Sequence, residues 1–277
     1  MFKGICKILA ATALLAGAAA CGNKGAEGAR ALLAQTDSAI AAANYNQAIE
    51  ILDTLNARHR DQTAARREGL RLRAIAMEGL ARDSIELAAT ELAAATMALD
   101  SMRPSFEHIA GPAGVEGFFL PRGTSAAVMG TTSVQGRVDE QGYFYVVVNV
   151  SGRKPGISSL RIVSGGDSWH SGDIAAARVV DVGSSQSASF SPEDVDGLGE
   201  WLAAHPSASK ITIVGRRGDT DVRLTAALRR ELVSTATFAR ALQRQRLASI
   251  RREKYERMLA TARDQIANLT EVPDNDE

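Results

Sequence analysis

The spacing of apolar residues along this chain changes period twice. Ala31 to Ala43 and Tyr45 to Arg58 carry them at helical spacing and read as two helices broken at Asn44. A proline-free stretch from Asp61 to Arg103 reads as a third. Within it Ile85, Leu92 and Leu99 stand seven apart, each followed three residues later by Ala88, Ala95 or Met102, the pattern of a coiled-coil seam with small partners. Pro104 stops that helix, and Gly69 and Gly79 weaken its first half. The spacing then shortens to that of strands. Tyr143 to Val150 is β-branched and aromatic and follows the turn signal Glu140-Gln141-Gly142; Ser159 to Ser164, Ala177 to Val182 and Ile211 to Val214 are further short strands. Ser191-Pro192-Glu193-Asp194 opens one helix, with a serine cap, a proline in the first turn and acids near the positive end. It is predicted to run to about His205 and to bury Trp201. The helical period returns after Gly218, with Asp219 or Thr220 as cap and a stripe at Leu224, Leu228, Leu232, Phe238 and Leu242. After Leu247 and Ile250 the stripe shifts phase to Tyr255, Met258, Ala262, Ile266 and Leu269.

These elements predict an α+β chain: a long antiparallel helical hairpin, a coiled-coil-like stalk, with a small β-rich domain inserted between its helices. The first half of the stalk spans 31–103, the β-rich head with one helix 105–218, the returning helix 219–269 and a disordered tail 270–277. At 1.5 Å per residue the two long helices would measure roughly 64 and 73 Å, similar enough to pair. Nine of the thirteen aromatic residues fall in the head, which places the packed core there.

The amino terminus has a different logic. Lys3 and Lys7 precede an apolar run that ends in Ala18-Ala19-Ala20-Cys21, the layout of a secretory signal at residues 1–20. The run falls short of the roughly 20 apolar residues a spanning helix needs. Once the signal and Cys6 are removed, Cys21 is the one cysteine left, so no intrachain disulfide can form. The stretch resembles a bacterial lipoprotein signal, cleaved before the cysteine, although Ala18 stands where that class usually has Leu. The resemblance implies lipidation of Cys21 and a membrane anchor, with residues 21–30 as a short tether.

Composition narrows the class further. The fractions, 45% hydrophobic and 23% charged, exclude a disordered chain, and 32 basic residues against 32 acidic ones give no sign of nucleic-acid binding. The basic residues are clustered, however. Arg58, Arg60, Arg66, Arg67, Arg71 and Arg73 form one group, and Arg240, Arg244, Arg246, Arg251, Arg252, Lys254, Arg257 and Arg263 another. A hairpin would bring both to its base, where an anionic surface could receive them.

No residue pattern amounts to a catalytic signature. Gly166-Asp167-Ser168, directly after the apolar run Leu160 to Val163, resembles the nucleophile block of GDS-type esterases. A serine nucleophile needs a base held by a third group, and the Asp-x-x-His that supplies it in those enzymes does not occur after residue 168. His59, His108, His170 and His205 have no metal-ligand spacing. Arg217-Gly218-Asp219 reads as a turn rather than an adhesion tripeptide, and Asn44-Tyr45 to Leu52, which resembles half a tetratricopeptide unit, occurs once where such repeats need about three. No cofactor is expected.

Helix, inserted β region and returning helix, with Ala48 to Leu55 and Gly142 to Asn149 as the best-matching stretches, resemble uncharacterised envelope lipoproteins of the Bacteroides group. That resemblance implies a lipid-anchored cell-envelope protein of structural or partner-binding type, attached to the membrane at Cys21 and contacting an envelope protein through its head. Gly22-Asn23-Lys24-Gly25 lacks the acids that follow the cysteine in some surface lipoproteins of that group, which points to the outer membrane on its periplasmic side. The alternatives are a periplasmic chaperone or assembly factor with helical tentacles and, further off, the esterase.

Overall fold

The computed structural model describes residues 9–111, 114, 116–127 and 130–271. It is an α+β chain with long helices and two antiparallel sheets. It divides into two compact units, Met1–Thr90 with Ile250–Glu277, and Glu91–Ser249. The β-rich unit is thus wider than the expected 105–218 and includes turns of the flanking helices.

In the helical unit, α1 (Leu9–Ala41) and α2 (Tyr45–Arg58) are joined at Ala43, whose φ of 57° makes the tight reversal before Asn44. α3 (Thr63–Met102) follows. Residues 21–30, expected as a polar tether, are helical and continue α1, because Ala29 is buried in a cluster with Leu52, Leu55 and Leu72. The two glycines of α3 have a packing role that outweighs their poor helix propensity. A Cβ on Gly69 would lie 3.0 Å from the Leu55 side chain, and one on Gly79 would overlap the Tyr45 ring. Each is a hollow into which α2 settles, and Tyr45 opposite 79 with Leu55 opposite 69 makes the two helices antiparallel. The seven-residue spacing in α3 is also real, and Leu99 is fully buried as expected, but the inward positions before it are held by alanines. Ala74, Ala81 and Ala88 are buried, while Ile85 and Leu92, expected in the seam, are only half covered. Small side chains bring backbones together and leave their longer neighbours at the rim.

Among the described residues the second unit holds ten strands. β1 (Phe106–Ile109), β2 (Phe118–Pro121), β3 (Ser133–Asp139), β4 (Phe144–Val150), β7 (Val179–Val182) and β8 (Ser185–Phe190) form a sheet in the order β1-β2-β3-β4-β8-β7. β5 (Ile157–Ser164), β6 (Asp167–His170), β9 (Lys210–Gly215) and β10 (Thr220–Arg223) form the other, ordered β10-β9-β5-β6. The turn at Glu140-Gln141-Gly142 joins β3 to β4 as the sequence predicts, with Asp139 Oδ1 accepting from the amides of Gln141 and Tyr143. Val146, Val148, Ala188 and Phe190 of the first sheet share one core with Leu160, Ile162, Ile211 and Ile213 of the second.

Two helices complete this unit. α4 (Leu198–Ala204) starts later than Ser191 because Gly197, at φ 70°, interrupts the turn that Ser191 and Asp194 close. Trp201 is half-buried; the buried tryptophan is Trp169, whose indole N–H donates to the Asp196 carbonyl at 3.1 Å. α5 (Ala226–Glu271) starts after β10 instead of at Asp219, and Thr225 Oγ1 accepts the Leu228 amide as its cap. Leu224, Leu232, Phe238 and Ala262 are buried as expected, but Leu247 and Ile250 are exposed, and Ala241 and Ala248 hold inward positions instead. Phe238 stacks on Phe106 with ring centroids 4.0 Å apart and packs with Leu99 and Val138.

The hollow at Gly79 gives a counterintuitive expectation. In an exposed helix Gly→Ala gains about 0.5–1 kcal/mol; here Gly79→Ala should instead lower unfolding stability by about 1–3 kcal/mol, as overpacking does. Urea denaturation of Gly79→Ala, with Tyr45→Ala/Gly79→Ala as the relieving double variant, measures it.

Candidate functional site

Residues 1–8, which include Lys3, Cys6 and Lys7 of the expected signal, lie outside the described residues. Cys21 lies on the helical backbone of α1.

Gly166-Asp167-Ser168 forms the turn and start of the β5–β6 hairpin, with Ser164 opposite Asp167 and Ser168 opposite Val163. Ser168 is exposed. The structure does bring a histidine to this turn, from a distant segment: His205 Nε2 faces Asp167 Oδ2 at 3.3 Å. The other ring nitrogen, Nδ1, bonds the Trp201 carbonyl at 2.8 Å, and the ring stacks on Trp201 at 4.1 Å. With both nitrogens engaged, His205 is held as a structural cap at the end of α4 and has no nitrogen aimed at Ser168.

His170 stands opposite Arg161 on an exposed strand, His59 lies against Gly28, and His108 pairs with Glu140 at 2.9 Å. Among the described residues no group of three His, Cys, Asp or Glu side chains is placed to hold a metal ion. Arg217-Gly218-Asp219 is the β9–β10 turn. Asp219 Oδ1 accepts from the Gly215 amide at 3.3 Å and Oδ2 meets Arg161 at 3.4 Å, so this carboxylate is spent on the turn and its neighbour.

The site that sequence reasoning missed is a groove where the end of α4 meets the start of α5. Arg229 makes the junction. Its guanidinium donates to the carbonyls of Leu202 at 3.0 Å, His205 at 2.7 Å and Ala208, three acceptors gathered where α4 ends. Beside it runs an open groove of about 690 Å³, within the size of small-ligand and peptide pockets. Leu202, Pro206 and Val233 give it apolar walls, while Arg122, Arg230 and Glu231 bring charge. Arg122 is already held, donating to the Pro104 carbonyl at 3.1 Å. Burial pushes the Glu231 carboxyl above its ordinary range. A carboxyl stripped of water in this way favours its proton or a donor brought by a ligand. No sequence signal marks it, since Arg229-Arg230-Glu231 reads as a solvated helix face.

The basic stretches are largely engaged within the protein. Arg71 pairs with Glu68, Arg73 with Asp53, Arg252 with Glu256 and Arg263 with Glu78. Arg240 and Arg246 belong to the β-rich unit, paired with Glu200 and with the Gln141 carbonyl.

No family model, curated protein or solved structure matches this chain.

Glu231 has a pH signature. Because its folded pKa lies above the ordinary 4.5, its contribution to stability is greatest below that value and is lost as pH rises through the folded pKa. Glu231→Gln should therefore be more stable than the parent at neutral pH, with the difference closing on acidification. Paired thermal melts from acid to neutral pH check the sign.

Proposed function

We propose that this chain is a lipid-anchored protein of the cell envelope, tethered to the outer membrane on its periplasmic side through acylated Cys21, that binds a partner rather than catalysing a reaction. The observation that carries the anchor is Cys21 itself, alone in the chain after the expected signal and directly preceded by Ala18-Ala19-Ala20. No described helix is long and apolar enough to cross a membrane. The partner-binding half rests on the Glu231 groove, whose apolar walls and charged groups suit a peptide segment of an envelope protein.

The hairpin belongs to this reading. Thr96 bonds Gln245 at 3.1 Å in one unit, and Glu78 pairs with Arg263 at 3.2 Å in the other. Each pair joins α3 to α5 within its own unit, which supports a returning helix. Contact of the basic stretches with an anionic surface remains part of the proposal, with the exposed Arg58 and Arg60 among its charges.

Cys21→Ser should move the protein from the detergent phase to the aqueous phase on phase separation of cell extracts, and labelling with a palmitate analogue should be lost. Detergent partitioning unchanged by the substitution overturns the anchor. A photocrosslinker at Val233 should capture a discrete partner in cells and lose it when Ala227→Arg fills the groove; capture that ignores this substitution overturns the groove as the binding site.

A further inference from the structure

The β9–β10 turn and the loop before β5 are locked together. The Arg216 amide donates to the Gly156 carbonyl at 3.0 Å and the Arg217 amide to the Pro155 carbonyl at 2.8 Å. Gly215 permits the contact, since a Cβ there would lie 2.7 Å from the Pro155 backbone. Beneath them Gln186, only 4% exposed, accepts from the amides of Gly156 at 2.8 Å and Ile157 at 3.0 Å through Oε1. Its Nε2 donates to Asp181 at 2.8 Å. These bonds give a cleft of about 420 Å³ a rigid floor and two fixed lips.

The charge around this cleft is unbalanced. Arg216 and Arg217 both line it, and among the described residues neither side chain has a hydrogen-bond or ion-pair partner. Asp181, the one carboxylate in the lining, pairs with Lys154 at 3.1 Å and accepts a hydrogen bond from the Gln186 amide, while Arg217 acts on it only through its charge. Asp219, the other acid nearby, is taken by Arg161, and Arg153 is occupied with the Asp219 carbonyl and the Thr220 hydroxyl. Arg216 and Arg217, exposed on consecutive residues of a braced turn, thus line one cavity with no side-chain hydrogen bond or ion pair of their own among the described residues.

We propose that this cleft binds the phosphate group of an anionic ligand, with Arg216 and Arg217 as the recognising residues and Lys154 at its border. A guanidinium offers two parallel N–H donors to an oxyanion, and a pair of them matches a doubly charged phosphate better than a singly charged carboxylate. The phosphate belongs to a soluble metabolite or to a lipid headgroup; the chemistry recognised is the same.

The test uses the full chain carrying Cys21→Ser, so that no lipid anchor masks the result. Calorimetric titration with inorganic phosphate at about 0.15 M chloride, where long-range attraction is screened, should show saturable binding. Arg216→Ala/Arg217→Ala should weaken it about tenfold or more, and Arg216→Lys/Arg217→Lys, which keeps the charge and loses the fork, should fall between. Arg223→Ala, an exposed arginine on the neighbouring strand, should bind as the parent does. Sedimentation with phosphatidylglycerol vesicles then separates the sources. Vesicle binding lost in the double alanine variant assigns a headgroup, and phosphate binding without vesicle binding assigns a soluble ligand. Phosphate uptake that does not saturate, an unaffected double alanine variant, or an equal loss in Arg223→Ala overturns the site.

Discussion

The inner face of the six-stranded sheet is one apolar surface that must be covered, and no single element covers all of it. Val146, Val148, Ala188 and Phe190 are closed by the four-stranded sheet, while Val138 and Phe106 are closed by Phe238 and Ala239 of α5. Gly136, midway along β3, marks the changeover: a side chain there would meet both Phe144 and Leu232. A sheet hydrophobic on one face folds only when that face is buried. The start of α5 is therefore a structural part of the β-rich unit, and the groove beside Glu231 exists because α5 has to lie there.

Polar side chains then fix what the apolar ones only gather. Gln186 is a buried amide on an otherwise apolar face, and it ties β8 of one sheet to the start of β5 in the other. Arg229 does similar work between helices, reaching from α5 to the Leu202 and His205 carbonyls at the end of α4. Hydrophobic burial is indifferent to small slides of one layer over another; hydrogen bonds of fixed length are not. The groove beside Glu231 borders Arg229, and the cleft at the β9–β10 turn borders Gln186.

Much of the fold was legible because it is periodic. The bounds of α3, the β3–β4 hairpin and the strands β5 and β9 follow from spacing and β-branched content. β8 was hidden because Ser185-Gln-Ser-Ala-Ser-Phe190 looks like a linker, yet its Gln, Ala and Phe alternate inward. Gly69 and Gly79 looked like flaws in a helix because their value lies in α2, which the local sequence does not mention. The candidate site was less legible still. Glu231 acquires its environment from residues near 122 and 206, and Asp167 meets His205 across a separation that only the folded strands close. The esterase-like triplet shows the opposite error, a local word whose surroundings give it a different meaning.

The continuity of α1 through residues 21–30 bears on how an acylated Cys21 would handle force. From Cys21 to Ala29 a helix advances about 12 Å, whereas an extended leash of the same length could reach roughly 28 Å. A leash lets a protein tumble above the bilayer and absorbs a sideways pull by uncoiling. A helix whose Ala29 is already packed into its unit has little slack to give. Load applied to the protein would pass into the acyl chains as leverage, and the search for a partner would be a two-dimensional glide at nearly constant height.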